Sequence, residues 1–408
     1  MNPLFQSIYL VLQIAVLAAL LLPTLYIFVF AVAGLFYKQR PYPVAGLKRK
    51  IAVLIPGYKE DDVIIEVAKE ALTQDYPRDR YDVVIIADSF QPETILRLRE
   101  LPIIVIEVKF EKSTKSKALN KAMEQLGDTY DLAVVLDADN LMAADFLSKI
   151  NAGFELNFMA LQGHRAAKNM NTPLAILDAI SEEINNHIFR KGHRVLALSS
   201  AIIGSGMAFR YSFFREMMAS ATAIGGFDKE IELKMLKDNH KIGYLNDAVV
   251  YDEKVQKADV FSNQRRRWLS AQLHYFRQDF LSSLRSLITR GNIDYFDKTI
   301  QFIQPPRILL LGAVLMSGAV FFLVNLWLNI SPSYNCLWVG VVALCVLAFI
   351  FSIPVSFYNT ATLKAMASLP GGMLLMLGSL LKIKGANKQF IHTQHGAVKP
   401  SSKDDSTG

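Results

Sequence analysis

Long apolar runs lie at both ends of the chain, and short apolar runs alternate with polar segments in its middle. From Met1 to Tyr37 there is no charged residue, and Tyr9–Tyr37 is long enough to cross a hydrocarbon core of about 30 Å. Near the other end, Ile308–Ile330 and Leu337–Val355 predict a transmembrane hairpin. A shorter run, Met366–Leu381, is interrupted by proline and glycine.

Basic residues predict the orientation of these segments. Lys38, Arg40 and the cations at 48–50 directly follow the first span. Because loops that stay in the cytoplasm are rich in Lys and Arg, the amino terminus is expected outside a plasma (inner) membrane, with the following domain in the cytoplasm. A full fourth span would carry the lysines after Leu381 outside, so Met366–Leu381 is expected to be re-entrant or interfacial.

The middle of the chain has the pattern of an α/β sheet. Four runs rich in β-branched residues have strand length and are apolar on both faces, as in a buried parallel sheet. Asp61–Gln74, between the first two runs, has apolar residues at helical spacing. This alternation predicts a doubly wound sheet, in which ligands bind beyond the carboxyl ends of the strands. The runs are Ile51–Pro56, Val83–Ala87, Ile103–Glu107 and Leu132–Leu136.

Composition agrees with a membrane enzyme and excludes several other classes. The chain has 408 residues, 52% hydrophobic and only 20% charged, with a mean hydropathy of +0.25. These values exclude a disordered chain and an ordinary soluble enzyme. Two cysteines in apolar surroundings exclude a disulfide scaffold and a cysteine zinc site. The net charge of +7 is explained by topology, and with no recognised binding motif we expect no nucleic-acid partner.

Polar side chains follow all four predicted strands. The last strand ends in an Asp-x-Asp motif, and alternation along an extended chain points both carboxylates the same way. Two hard oxygen ligands suit a Mg²⁺ or Mn²⁺ ion that bridges a diphosphate. Loops are exposed to solvent, so polar residues are expected after any strand. Four strand ends that supply carboxylates and lysines to one edge nevertheless favour a binding site. The residues are Tyr58, Glu60, Asp88, Lys115, Asp137 and Asp139.

The chain resembles the membrane-embedded, processive family 2 glycosyltransferases, which include cellulose, chitin, hyaluronan and poly-N-acetylglucosamine synthases. The resemblance runs from about Lys50 to Trp268 and rests on several blocks in the same order. The blocks are Ile51–Glu60, Gln74-Asp-Tyr-Pro77, the strand ending at Asp88, Lys115-Ser-Lys-Ala-Leu-Asn120, Asp137-Ala-Asp139, Gly204–Arg210, Asp228–Leu233 and Gln264-Arg-Arg-Arg-Trp268.

This resemblance implies a GT-A (Rossmann-like) cytosolic domain, a UDP-sugar donor, and roles for individual residues. Asp139 would ligate the metal, Asp137 would approach the ribose or donor sugar, and Lys115 the base or diphosphate. Asp88 and the first block, which contains Tyr58 and Glu60, would surround the uridine. Gln264, Arg267 and Trp268 would bind the diphosphate and the acceptor. Gly204, Ser205 and Gly206 would form a turn beside the acceptor.

The catalytic base is where the chain departs from the family. The family has a Glu-Asp pair followed by x-Glu-Leu, whereas this chain reads Asp228-Lys-Glu230-Ile-Glu232-Leu. Anchoring on Glu232 puts Glu230 at the position of the base, so Glu230 is preferred and Asp228 is the alternative. Glu232 is expected to be structural.

The regions after Trp268 are expected to lie on or in the membrane. Interleaved apolar and polar residues at 269–287 and 295–302 predict amphipathic helices on the cytoplasmic leaflet. Phe390–His395 resembles a cytosolic segment that packs over the nucleotide in this family. The expected regions are 1–37 (N-terminal transmembrane helix), 38–260 (GT-A domain), 261–307 (interfacial helices), 308–358 (transmembrane hairpin), 359–400 (re-entrant or interfacial segment and gating-like tail) and 401–408 (disordered tail).

Three functions are consistent with the sequence. The leading hypothesis is an inverting enzyme that adds a hexose or N-acetylhexosamine from a UDP-sugar to a β-linked polysaccharide. The second is transfer of one sugar to a lipid such as ceramide or a polyprenyl phosphate. The third is a non-catalytic transporter or scaffold with a degenerate nucleotide fold. Three spans provide few helices to surround a channel. A homo-oligomer or an accessory export subunit is therefore expected as a further partner, in addition to the bilayer.

Overall fold

The computed structural model describes residues 3–43, 46–221 and 225–382. An eight-stranded sheet with helices on both faces forms the centre of the molecule, and long apolar helices lie at both ends of the chain. The predicted gating-like segment Phe390–His395 and the tail from residue 401 lie outside the described residues.

The sheet is parallel in its first half and mixed in its second. The strand order is β3-β2-β1-β4-β7-β6-β8-β5. β1 pairs with β2 and β4, and β2 with β3, all in parallel, while β7 is antiparallel to both β4 and β6. The parallel pairing predicted for the first four strands is therefore confirmed, and the second half of the sheet adds antiparallel pairs and the parallel pair of β6 with β8. The strands are β1 Ile51–Tyr58, β2 Tyr81–Asp88, β3 Ile104–Val108, β4 Leu132–Val135, β5 Leu141–Met142, β6 Ala160–Ala167, β7 Met207–Arg210 and β8 Ile242–Asp252.

Alternation along the central strands builds one apolar core on each face of the sheet. In β1, Ile51, Val53 and Ile55 belong to one buried cluster, and Ala52 and Leu54 belong to the other. Both faces are covered by helices, which is why the strands are apolar throughout. These helices are α2 Ile64–Ala71, α3 Pro92–Arg99, α4 Lys115–Leu126, α5 Phe146–Gly153, α6 Pro173–Asn185, α7 His193–Val195, α8 Tyr211–Ala219 and α9 Phe227–Lys237.

Among the described residues, three helices are long and apolar enough to span a membrane: α1 Pro3–Leu35, α12 Arg307–Trp327 and α13 Pro332–Ser352. The 33 residues of α1 extend about 50 Å at 1.5 Å per residue, which exceeds the hydrocarbon thickness. α14 Thr360–Met366 and α15 Leu369–Leu381 meet at a bend of 50°, which fits either a broken span or a re-entrant loop. The predicted re-entrant segment therefore stays a prediction.

The sheet domain and the long apolar helices are packed against each other. A π-helix, Asn186–Gly192, continues α6 and contacts α1. A Cβ on Gly192 would lie 2.2 Å from the Phe30 carbonyl oxygen, so only glycine allows this approach. α10 Ala258–Arg290 packs on α11 Ile293–Ile303 and on α15. The boundary expected between residues 260 and 261 falls inside α10.

Candidate active site

Three carboxylates lie together at the carboxyl edge of the sheet. Asp137 and Asp139 follow β4, and Asp252 is the last residue of β8. One oxygen of each lies within 4.8 Å of the others. β8 is parallel to β6, and both β6 and β4 are antiparallel to β7, so β4 and β8 end at the same edge. Sequence reasoning identified the first two residues and missed Asp252.

A buried hydrogen-bond network holds the carboxylates in place. The Asn140 side-chain amide donates to Asp139 Oδ1 and to Asp252 Oδ1, at 3.1 Å each. Ser205 Oγ donates to Asn140 Oδ1 and accepts from the Asp137 backbone N–H at 2.9 Å. Ser205, predicted beside the acceptor, thus supports the carboxylate group. Three hard oxygen donors in a fixed cluster are the ligand set that Mg²⁺ or Mn²⁺ requires.

Asp252 is ionised although it is buried. Burial raises the pKa of its carboxyl, but Arg165 and Lys254 outweigh this effect and hold the pKa well below its usual range. Arg165 Nη2 donates to Asp252 Oδ2 at 2.6 Å, and Lys254 Nζ donates to the same oxygen at 2.8 Å. The carboxylate is therefore charged at neutral pH, as a metal ligand must be.

Lys115 joins the carboxylates to the glycine-containing turn. Its ammonium donates to Asp137 Oδ1 at 2.5 Å and to the Gly204 carbonyl oxygen at 2.7 Å. Gly204 and Gly206 have φ values of +78° and +62°, in the left-handed region that favours glycine. A Cβ on Gly204 would lie 3.7 Å from Asp228 Cγ, so this turn runs directly beside Asp228.

The two candidate bases lie on different faces of α9. At about 100° per residue, Glu232 shares a face with Asp228, and Glu230 lies about 200° away from Asp228. Asp228 and Glu232 line the cavity described below, whereas Glu230 is not among its lining residues and forms an ion pair with Lys234 at 2.8 Å. Glu232 is paired with buried Lys298 at 2.7 Å. This geometry favours Asp228 as the base, the reverse of the preference drawn from the sequence.

The Gln264–Trp268 motif lies in the first turns of α10. Gln264, Arg267 and Trp268 are spaced i, i+3 and i+4, so they share one helix face, and all three line the cavity. Burial lowers the pKa of the Arg267 guanidinium. Arg265 stacks over the Trp268 ring at 4.5 Å and is ion-paired with Asp178.

A continuous cavity of about 1400 Å³ contains most of the predicted site residues. Of these, Ser205, Gly206 and Glu230 do not line it. The predicted residues that line it are Tyr58, Glu60, Asp88, Lys115, Asp137, Asp139, Gly204, Asp228, Gln264, Arg267 and Trp268. Beyond them the wall becomes apolar and is formed by α1, α6 and the C-terminal helices, through Ile27, Leu177, Ile308, Leu311, Phe349, Ile353, Leu369 and Met376.

Known proteins with related sequences or folds include several glycosyltransferases. The chain is 24% identical over 298 residues to a probable glycosyltransferase, YdaM, of Bacillus subtilis, covering 71% of this chain and 69% of the relative. It is 24% identical over 242 residues to a beta-monoglucosyldiacylglycerol synthase of Synechocystis, covering 56% of this chain and 47% of that protein. The chain thus spans about half the length of that synthase.

The fold and family are also recognised. A mannosyltransferase of Pyrobaculum calidifontis, solved in complex with GDP-Man and Mn²⁺, superposes with a TM-score of 0.50 at 20% identity. The alignment covers 83% of this chain and 97% of that one, and it shows a GT-A-like α/β fold. The model of the family described as "Glycosyltransferase like family 2" matches residues 48–271. The processive subtype stays a prediction, but the chain belongs to the family 2 glycosyltransferases.

Proposed function

We propose that this protein transfers one sugar from a UDP-sugar to a lipid acceptor at the cytoplasmic surface of a membrane, with inversion at the anomeric carbon. The observation that carries the proposal is the continuous cavity that joins the three carboxylates to apolar side chains of α12 and α13. A charged donor and an acceptor with hydrocarbon chains require walls of both kinds in one site.

The donor end of the cavity suits a nucleoside diphosphate sugar. Asp88 and Tyr58 end neighbouring parallel strands and would contact the uridine, with Glu60 beside them. The complex of the Pyrobaculum mannosyltransferase with GDP-Man and Mn²⁺ supports a nucleotide-sugar donor and a divalent cation. Asp137, Asp139 and Asp252 would hold Mg²⁺ or Mn²⁺, which neutralises diphosphate charge when bound.

Asp228 is the proposed general base. The acceptor oxygen forms a bond to the anomeric carbon while the bond from that carbon to the diphosphate oxygen breaks, and where the acceptor oxygen is a hydroxyl its proton passes to the Asp228 carboxylate. One displacement from the opposite side inverts the configuration. The Arg267 guanidinium would hold phosphate oxygens of the leaving nucleoside diphosphate, and the Trp268 indole would cover an apolar sugar face.

The acceptor end supports a lipid. Ile308, Leu311 and Phe349 come from helices long enough to span the bilayer, so hydrocarbon chains can enter the cavity between them. The likeness to a beta-monoglucosyldiacylglycerol synthase supports a lipid acceptor in general. The basic segment at 48–50 would face anionic lipid on the cytoplasmic side.

The test is product analysis with the full chain in phosphatidylcholine nanodiscs that contain dioleoylglycerol or a polyprenyl phosphate. Radiolabelled UDP-sugars are supplied with Mn²⁺, and solvent extraction separates single-sugar lipids from polymer. We expect label in a lipid of fixed size, abolished in Asp139→Asn and kept in Asp79→Asn, a control at an exposed acidic residue. Polymer that lengthens with time would instead support a polysaccharide synthase. No transfer from any donor, or equal transfer by Asp139→Asn, would support a non-catalytic protein.

A further inference from the structure

A guanidinium lies at the membrane end of the cavity. Arg307, the first residue of α12, lines the cavity beside Ile308. Its Nη2 donates to the Ser181 carbonyl oxygen and to Ser181 Oγ at 3.3 and 3.4 Å, and its cation lies 5.5 Å from the centre of the Phe189 ring. Nη1 is buried and has no hydrogen-bond partner within the part of the chain that the structure describes.

The neighbouring charges do not neutralise Arg307. Arg190 is ion-paired with Glu182 at 3.2 Å, and Arg265 is ion-paired with Asp178. Among residues 3–43, 46–221 and 225–382, no carboxylate lies within ion-pair distance of Arg307. An arginine guanidinium stays charged at neutral pH, and Glu182, the carboxylate whose charge reaches Arg307, is already paired with Arg190. This end of the cavity therefore carries a surplus positive charge.

A buried, charged donor without an acceptor is costly, so the site is suited to an anion. Guanidinium groups bind phosphate oxygens through two parallel hydrogen bonds. The C-terminal helices supply apolar side chains to the same cavity, Leu311, Phe349 and Met376, so the anion would be attached to hydrocarbon. Ser181, which accepts the other hydrogen bonds of Arg307, lies on α6.

We propose that Arg307 binds the phosphate group of a phosphorylated lipid acceptor whose hydrocarbon chains lie along α12, α13 and α15. The inference rests on the proposed function for the role of this lipid as acceptor. The inference extends that function by assigning an anionic headgroup to the acceptor. A neutral lipid such as diacylglycerol would leave Arg307 Nη1 without a hydrogen-bond partner. Arg307 thus selects the acceptor class.

The experiment measures lipid binding without turnover, so its outcome is independent of the transfer assay. Native mass spectrometry of the full chain in detergent is used to titrate dioleoyl phosphatidic acid, dioleoylglycerol and inorganic phosphate. Arg307→Gln removes the charge, and Arg307→Lys keeps it without the planar fork. Arg277→Gln is the matched control, because Arg277 is an exposed arginine on α10 that does not line the cavity. Binding of UDP with Mn²⁺ is measured in every variant.

We expect the wild type and Arg277→Gln to prefer phosphatidic acid over dioleoylglycerol by about tenfold or more, as a charge-assisted hydrogen bond allows. Arg307→Gln should abolish this preference, and Arg307→Lys should reduce it, with UDP binding unchanged in both.

Three results would overturn the proposal. The first is an unchanged lipid preference in both Arg307 variants. The second is inorganic phosphate that binds as tightly as phosphatidic acid, which would indicate a site for the free anion. The third is loss of UDP binding in Arg307→Gln and Arg307→Lys alike, which would place Arg307 in the donor site.

Discussion

The buried ion pair between Glu232 and Lys298 ties the helix that carries Asp228 to α11. The Lys298 ammonium lies 2.7 Å from Glu232 Oε1, and the two residues are only 5% and 1% exposed. Glu232 Oε2 is buried and has no hydrogen-bond partner among the described residues. We predict that Lys298→Met strongly destabilises the protein, because it leaves a carboxylate in an apolar contact between helices.

The expected size follows from the burial of both groups. Removing one partner of a buried ion pair costs about 3–5 kcal/mol, whereas an exposed pair is worth about 0–1 kcal/mol. Burial already raises the pKa of Glu232 in spite of Lys298, and loss of the lysine removes the main opposing effect. A carboxyl whose pKa is higher in the folded state than in the unfolded state contributes its full stabilisation at pH values below the unfolded-state pKa. This contribution is lost as the pH rises through the folded-state pKa. The loss of stability in Lys298→Met should therefore be larger at pH 8 than at pH 5.

The assay is thermal unfolding of the purified protein in detergent at both pH values. A loss of 3 kcal/mol lowers the unfolding temperature by about 6–12 °C in a domain of 150–250 residues. Lys241→Met is the matched control, because Lys241 forms a more exposed pair with Asp294, also on α11, at 3.4 Å. Glu232→Gln combined with Lys298→Met should recover most of the loss. Equal unfolding temperatures for Lys298→Met and Lys241→Met at pH 8, or no recovery in the double variant, would refute the reasoning.

Three further predictions concern the metal, the base and the contact with α1. Asp252→Asn should raise the Mn²⁺ concentration for half-maximal transfer by about 10–100-fold, and an unchanged Mn²⁺ titration would exclude Asp252 as a ligand. Asp228→Asn should lower kcat by about 10²–10⁴-fold while Glu230→Gln retains most activity, and the opposite order would restore Glu230 as the base. Gly192→Ala should lower the unfolding temperature. Gly340→Ala should not, because among the described residues the added carbon would meet no atom within 4 Å beyond its chain neighbours and the adjoining backbone of its own helix; equal temperatures would contradict the close approach of Gly192 to α1.

The first four strands and the membrane helices could be predicted because each is an uninterrupted apolar segment. β1, β2 and β4 are buried on both faces, so their sequences are apolar at nearly every position. Strand ends in a parallel sheet meet at one edge, which is why the strand pattern made Asp88, Asp137 and Asp139 candidates for one site, and the family resemblance added their individual roles. The fold class predicted from these features is confirmed.

The second half of the sheet and Asp252 depend on contacts that no local pattern reveals. β6 contains the polar side chains of Gln162 and Arg165, and β7 ends in Arg210 after only three apolar residues, so neither has the pattern of a core strand. Asp252 reaches the site through pairings between distant segments, and Asn140, which bonds it, is 112 positions away. The one available signal was an acidic residue at the end of an apolar run, 248–252, as in the Asp-x-Asp strand.

The choice between Glu230 and Asp228 shows a different limit. Alignment on a motif counts positions, but the face of a helix is set by its 3.6-residue period and by the side that packs on the cavity. Lys229 stands where the family has an acidic residue, so counting from Glu232 selects Glu230, which lies two positions from the proposed base Asp228 and on the opposite face of α9. A helical-wheel argument would have grouped Asp228 with Glu232 from the sequence alone.

The placement of charges argues that the membrane helices are part of the active site and not a separate anchor. Asp252 is bonded to Arg165, whose backbone carbonyl accepts from the Asn186 side chain at 2.9 Å, at the start of the π-helix that packs on α1. Burial lowers the pKa of His187 on this π-helix, and its Nε2 lies 2.8 Å from the carbonyl oxygen of Ala31 in α1. A displacement of α1 would therefore reach the carboxylate group through three contacts, of which the last two are buried hydrogen bonds. Since α12 and α13 also supply the apolar wall, both ends of the cavity depend on the packing of helices that are long enough to span a membrane.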